Sequence, residues 1–229
     1  MDGLLLVDKP KGWTSFDVVA KIRGLLQDDF TVRKGRIKVG HGGTLDPMAT
    51  GLLILLIGKA TKCAKDISNL DKTYDTEVTL GVRSNTDDTE GSIEPVSSKR
   101  PSKGEIIKTL KSFIGVTKQV PPAYSAVKVS GYRAYKLARA GQELQLKPRP
   151  VTIYEIKNVR YRYPHVKFVA TVSSGTYIRA LARDLGAKLG TGAICSDLRR
   201  TKIGQYSVSD AVQIDKLNKD VILNRLINT

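Results

Sequence analysis

Six apolar residues in a row, at positions 52–57, constrain the fold more than any other feature of the chain. The run is far too short to cross a bilayer, which takes about 20 such residues as a helix. Its length and continuity suit a strand buried on both faces. At 229 residues and 41% hydrophobic content, the chain can build one substantial core, or a large domain with a small appendage.

The flanking sequence mixes the two structural periods without regular strand–helix alternation. Residues 4–7 read as a strand and Lys9-Pro10-Lys11-Gly12 as a turn. A helix follows, with Thr14 as N-cap, Asp17 at N3, and an apolar stripe of Phe16, Val19, Ile22, Leu25 and Leu26. Residues 27–38 read as a polar, basic loop carrying Arg33, Lys34, Arg36 and Lys38. Tyr74, Thr76, Val78 and Leu80 alternate with polar residues, which predicts a half-buried strand. Ser102-Lys103-Gly104-Glu105 is a capping box for a helix through Phe113. Val166, Phe168, Ala170 and Val172 mark another strand. A helix over about 176–189 turns Ile178, Leu181, Ala182, Leu185 and Leu189 inward. No repeat or Ser/Pro linker divides the chain, so the expectation is one α+β catalytic domain over 1–229.

Charge narrows the partners. Thirty-eight Lys and Arg against 22 Asp and Glu give +16, a balance that attracts polyanions. Between 118 and 149, Lys118, Lys128, Arg133, Lys136, Arg139, Lys147 and Arg149 face a single acid, Glu143, with Tyr124, Tyr132 and Tyr135 among them. Cations interleaved with aromatics suit phosphate contacts plus base stacking. Asp2 and Asp8 bracket a short apolar start that is wrong for a signal peptide, and Cys63 with Cys195 makes no disulfide framework. A reducing, cytoplasmic setting without membrane attachment is expected.

Several chemistries lack their residues. His41 and His165 stand far apart and neither cysteine has a metal-binding neighbour, so no metal is expected. There is no G-x-S-x-G nucleophile turn and no G-x-G-x-x-G. Residues 51–59 resemble a phosphate loop superficially, but Ala60 stands where a magnesium-ligating hydroxyl belongs. The reading is a reaction without cofactor.

The distinctive segment is Gly40-His41-Gly42-Gly43-Thr44-Leu45-Asp46-Pro47-Met48-Ala49-Thr50-Gly51, a glycine-rich loop with a carboxylate at its apex. This string resembles the catalytic motif of TruB-type tRNA pseudouridine synthases. Gly3-Leu4-Leu5-Leu6-Val7-Asp8-Lys9-Pro10 resembles the family's opening motif, and Lys72-Thr73-Tyr74 its K-x-Y strand. Pro121-Pro122-Ala123-Tyr124-Ser125-Ala126-Val127-Lys128 resembles its RNA-gripping insertion. Gly175-Thr176-Tyr177-Ile178-Arg179 and Leu198-Arg199-Arg200 resemble its last active-site segments.

The resemblance implies a mixed, mainly antiparallel central sheet flanked by helices and loops, and isomerisation of uridine 55 in the T arm of tRNA. Asp46 would be the catalytic carboxylate, whether toward the sugar, the ring or a ribose proton. Arg179 would pair with it and Tyr74 would stack on the uracil. His41, Tyr177, Leu198, Lys72, Lys128, Arg133 and Arg139 would contact the RNA, with 118–149 as the gripping insertion. Met48-Ala49 is similar to the stand-alone branch, so no guide RNA is expected; a monomer is expected as well. The alternatives are the catalytic subunit of a guide-RNA complex and a non-catalytic RNA-binding protein. Gly42, where many relatives have Thr, should loosen the loop, and a C-terminal PUA-like domain is expected to be missing.

Overall fold

The computed structural model of the chain describes residues 1–27, 37–129, 131–142 and 144–228. Arg33, Lys34 and Arg36 of the expected basic loop, and Glu143, lie outside the described residues. The chain forms two compact units, Met1–Tyr74 with Arg199–Thr229, and Asp75–Leu198.

The first unit opens with β1 (Gly3–Lys9), α1 (Ser15–Leu26), β2 (Val39–His41) and β3 (Thr50–Ile57). A 3-10 turn (Gly58–Cys63) leads into α2 (Ala64–Asn69) and the start of β4 (Lys72–Leu80). The second unit continues with β5 (Val82–Ser84), β6 (Ile93–Pro95), α3 (Lys103–Lys111) and β7 (Gly115–Gln119). Next come β8 (Lys128–Val129), β9 (Tyr132–Arg133), α4 (Ala134–Arg139), β10 (Arg149–Arg162), β11 (His165–Val172) and α5 (Ile178–Leu189). Along β12 (Ala193–Ile203) the chain returns to the first unit, which ends in β13 (Tyr206–Ser207), β14 (Val212–Gln213) and α6 (Lys219–Asn224). Both passages fall inside strands, β4 and β12, which is why no linker composition marks them.

In the first unit the strands run β14-β1-β3-β12, with β2 sharing an edge of β3. β1 and β3 are antiparallel, Leu4 opposite Leu56 and Leu6 opposite Ile54. Leu53, Leu55 and Ile57 pack with Leu5 and Val7 against Val18, Val19, Ile22 and Leu26 of α1 and Ile222 of α6. On the opposite face Leu52, Ile54 and Leu56 pack with Leu4 and Leu6 against Ile67 of α2 and Ile203 of β12. Apolar layers on both faces account for the unbroken run, since neither parity of β3 reaches water.

The Thr14/Asp17 capping box forms as expected, each side chain bonded to the other's backbone amide. The buried face of α1 is Ser15, Val18, Val19, Ile22 and Leu26, spaced by three and four. Phe16 is a correction: it is 63% exposed, with the Arg23 guanidinium 5.9 Å from its ring. It lies one residue, about 100° of helix, beyond Ser15, whose small hydroxyl takes the inward place.

In the second unit the order is β12-β4-β11-β10-β7. β4 and β11 alternate as the sequence predicts, with Tyr74, Thr76, Val78 and Leu80 inward on one and Val166, Phe168, Ala170 and Val172 on the other. α3 begins at its Ser102/Glu105 box and ends at Lys111, short of Phe113. α5 buries the predicted Ile178, Leu181, Ala182, Leu185 and Leu189, and Arg179 with them. The architecture is α+β, with a mixed, mainly antiparallel sheet flanked by helices. Among the described residues no helix is long and apolar enough to cross a membrane.

Candidate active site

Asp46 is half-buried in the loop between β2 and β3. The Ala49 amide donates to the Asp46 carbonyl at 3.1 Å, closing a turn with Asp first and Pro47 second, positions these residues favour. The Pro47 carbonyl accepts from the Gly12 amide at 2.8 Å and from the Lys9 ammonium at 3.4 Å. Lys9 is fully buried and also donates to the carbonyls of Pro10 and Trp13, at 2.9 and 2.6 Å. The Lys9–Gly12 turn is thereby anchored to the residue after Asp46. The residue before it, Leu45, is bonded twice to Ser15: its amide donates to Oγ at 2.8 Å, and the hydroxyl donates to its carbonyl at 3.0 Å.

Arg200, 1% exposed, completes the support. Its Nε donates to Leu52 O at 2.8 Å, and its two terminal nitrogens to Thr44 O and Gly43 O, each at 3.1 Å. Its backbone lies beside Gly51 in the parallel pairing of β12 with β3. Gly51 has φ +101°, and a Cβ there would stand 2.3 Å from Arg200 O, so both conformation and space demand glycine.

Gly42 has a role other than the looseness expected of it. Its amide donates to Ile54 O at 2.9 Å, and a Cβ would meet Ile67 Cγ2 at 2.2 Å. The side chain of α2 fills the place a threonine would need. Gly42→Ala should therefore lower stability by about 1–3 kcal/mol through overpacking against a buried branch point. Urea melts of the two proteins check this; equal midpoints would mean that α2 yields freely.

His41 is half-buried, and its Nδ1 accepts from the Gly43 amide at 3.4 Å, which leaves the proton of the neutral ring on Nε2. Burial, then the Arg200 charge, lowers its pKa, so the neutral donor form is favoured. Tyr74 is 8% exposed at the start of β4. Lys72, named above among the RNA contacts, has a structural role as well. It is buried, and its ammonium donates to the Ser68 and Leu70 carbonyls at the end of α2, where helix carbonyls lack partners. Burial, then Arg200, lowers its pKa to about 8.

In the second unit Arg179 is not a surface arginine. It is 4% exposed and forms an ion pair with Asp88, itself 1% exposed, at 3.2 Å. Its two terminal nitrogens also donate to Thr86 O at 2.8 Å and Tyr124 O at 2.9 Å. Asp88 accepts further bonds from the Thr86 hydroxyl and the Glu90 amide. The arginine thus joins the 84–92 loop to the start of the 118–149 segment. Tyr177, half-buried, caps α5, with its amide donating to the buried Gln119 side chain at 2.8 Å, and Leu198 is buried on β12. Lys128, Arg133 and Arg139 are exposed on the β8–β9 hairpin and α4, with Arg139 5.8 Å from the Tyr135 ring and Tyr132 66% exposed.

Four supporting residues, Lys9, Ser15, Arg200 and Asp88, were given no role of their own by the sequence reading, although Lys9 and Arg200 lie in strings that resemble family motifs. Lys9 follows Leu5 and Val7 on the inward parity of β1, and Arg200 follows Leu198 on that of β12. A charge at an inward strand position was the signal available. Asp88 had none, since Asp87 beside it looks identical in sequence. Among the described residues no three His, Cys, Asp or Glu side chains gather as metal ligands would.

The model of the TruB family pseudouridylate synthase N-terminal domain matches residues 30–178, and that of the tRNA pseudouridylate synthase B C-terminal domain matches 179–226. A protein of Clostridium kluyveri named tRNA pseudouridine synthase B is 43% identical over 227 residues, covering 99% of this chain and 76% of its own. One of Thermobifida fusca with the same name is 45% identical over 228 residues, covering 94% of this chain and 74% of its own. A chain in the crystal structure of a Cbf5-Nop10-Gar1 complex superposes with a TM-score of 0.71 at 30% identity. The match covers 94% of this chain and 53% of that one, so the chain spans about half its length.

Proposed function

The chain belongs to the TruB family of pseudouridylate synthases, and from that premise we propose that it isomerises uridine to pseudouridine at position 55 in the T arm of tRNA, without guide RNA. The observation that carries this reading is the Asp46 loop. A half-buried carboxylate stands on a backbone held by Ser15 on one side and by Gly12 and Lys9 on the other. Such a mount keeps a reacting group in place without reorganisation.

Pseudouridine formation breaks the N1–C1′ bond and joins C5 to C1′; C5 releases a proton and N1 ends with one. Atoms balance with no oxidant or metal, which agrees with the missing cofactor motifs. The base must leave its stack to reach a carboxylate on a protein loop. Exposed Lys128, Arg133 and Arg139 supply the phosphate contacts that would help drive that step. The roles of Tyr74, Arg179, Tyr177, Leu198 and His41 at the nucleotide, and action as a cytoplasmic monomer, belong to the same proposal. Identities of 43% and 45% to proteins named tRNA pseudouridine synthase B, against 30% to a chain of the Cbf5-Nop10-Gar1 complex, support the reading of an enzyme that acts on tRNA by itself.

The test uses purified protein with an unmodified tRNA transcript and with its T-arm hairpin, nothing else added. Pseudouridine at position 55 in both is the expected product. Affinity should fall steeply with salt, each phosphate neutralised adding about −0.9 to the log–log slope on duplex. Reversing Arg133 and Arg139 to Glu should flatten that slope by about two. Product only when guide RNA and further proteins are added would overturn the reading. Whole tRNA binding about a hundredfold tighter than the hairpin would move recognition beyond the T arm.

A further inference from the structure

We propose that Arg200 is a positioning residue for the reaction, holding both ends of the Asp46 loop on the edge of β3. The inference rests on Asp46 being the reacting carboxylate.

The edge of β3 facing away from β1 is shared by two strands, with two further bonds between them. At Leu55 and Leu56 it pairs with His41 and Gly40 of β2, and at Thr50 and Gly51 with Arg199 and Arg200 of β12. Between these stretches the Gly42 amide takes Ile54 O, and Arg200 Nε takes Leu52 O. A side chain thus replaces the strand backbone where the loop leaves the sheet. The rest of the guanidinium grips the carbonyls of Gly43 and Thr44, just before Asp46, while the backbone of the same residue fits against Gly51, just after it. One residue sets the separation of the loop's two ends.

The partners of the guanidinium are three neutral carbonyls, and it is 1% exposed. Burying a cation is costly, and an apolar residue of similar volume would avoid the cost. What a methionine cannot do is orient three carbonyls from two chain segments at once. Lysine cannot either, because an ammonium is a point charge without a planar fork. The charge is felt nearby: it contributes to the lowered pKa of both His41 and Lys72.

The experiment compares wild type, Arg200→Gln, Arg200→Lys and Asp46→Asn in single turnover at saturating T-arm hairpin. Folded fraction is measured by near-UV circular dichroism, hairpin Kd by titration, and the His41 ring by NMR across pH. Arg200→Gln should cut the rate per folded molecule about a hundredfold, as a misplacement near 1 Å does. Hairpin Kd should stay within about threefold, and Arg200→Lys should recover little of the rate. His41 should titrate at higher pH in Arg200→Gln, where the neighbouring cation is gone. A rate per folded molecule within about threefold of wild type, or a loss confined to Kd, would overturn the inference. Should Arg200→Gln fail to fold, Arg200→Lys, which keeps the charge, decides by the same rate criterion. Full turnover by Asp46→Asn would instead overturn the reading of Asp46 and leave Arg200 as a support of the fold.

Discussion

Asp46→Asn should turn over more than about a thousandfold more slowly than wild type, while hairpin Kd changes less than about threefold. The substitution removes the charge and almost no volume. The turn that presents residue 46 is made by main-chain atoms, the Ala49 amide and the Asp46 carbonyl, and survives the change. So do the Ser15 bonds to Leu45 and the Lys9 and Gly12 bonds to Pro47. Melting temperature should therefore stay near that of wild type. Single-turnover product from a preparation free of deamidated protein is the measurement. A rate within tenfold of wild type, roughly 1.4 kcal/mol in barrier, would remove the carboxylate from the chemistry.

Arg179 should show a large effect of a different kind, because under the proposed function it serves structure and activity together. Arg179→Met leaves Asp88 buried with its charge unpaired, and should cost about 3–5 kcal/mol of stability. Arg179→Lys keeps the charge but cannot reach Asp88, Thr86 O and Tyr124 O from one planar group. It should fold, melt a few degrees lower and turn over about a hundredfold more slowly. Asp88→Asn supplies the reciprocal case, with the arginine in place and the Asp88 charge removed. If Arg179→Lys matches wild type in rate once the folded fraction is counted, the ion pair serves folding alone. Urea melts and single-turnover rates on the same samples separate the two.

The sequence by itself determined the elements that local physics dictates. The apolar run at 52–57 could be little other than a strand with both faces covered, and β3 is one. Two capping boxes, at Thr14 and Ser102, placed the starts of α1 and α3 to the residue, because their bonds span three positions and need no tertiary partner. The alternation in β4 and β11 likewise set which side chains turn inward. Asp46 stood out as a candidate through the string around it.

The tertiary structure alone decided what holds that carboxylate and what holds the second arginine. Lys9, Ser15 and Arg200 reach the loop from β1, α1 and β12, across separations of up to 157 residues. No local period encodes such meetings: Arg200 is inward because carbonyls from other segments take up its donors, and Lys9 shares its own between the adjoining turn and Pro47. Lys72 adds a case of its own: its motif suggested RNA, and the end of α2 also lies where its ammonium satisfies two carbonyls. For Gly42 the sequence could offer freedom of the backbone, whereas the packed Ile67 side chain made the missing Cβ a requirement of space. Period and capping are properties of neighbouring residues and can be read along the chain. Charge burial and close contact depend on which distant atoms arrive, and the fold settles that.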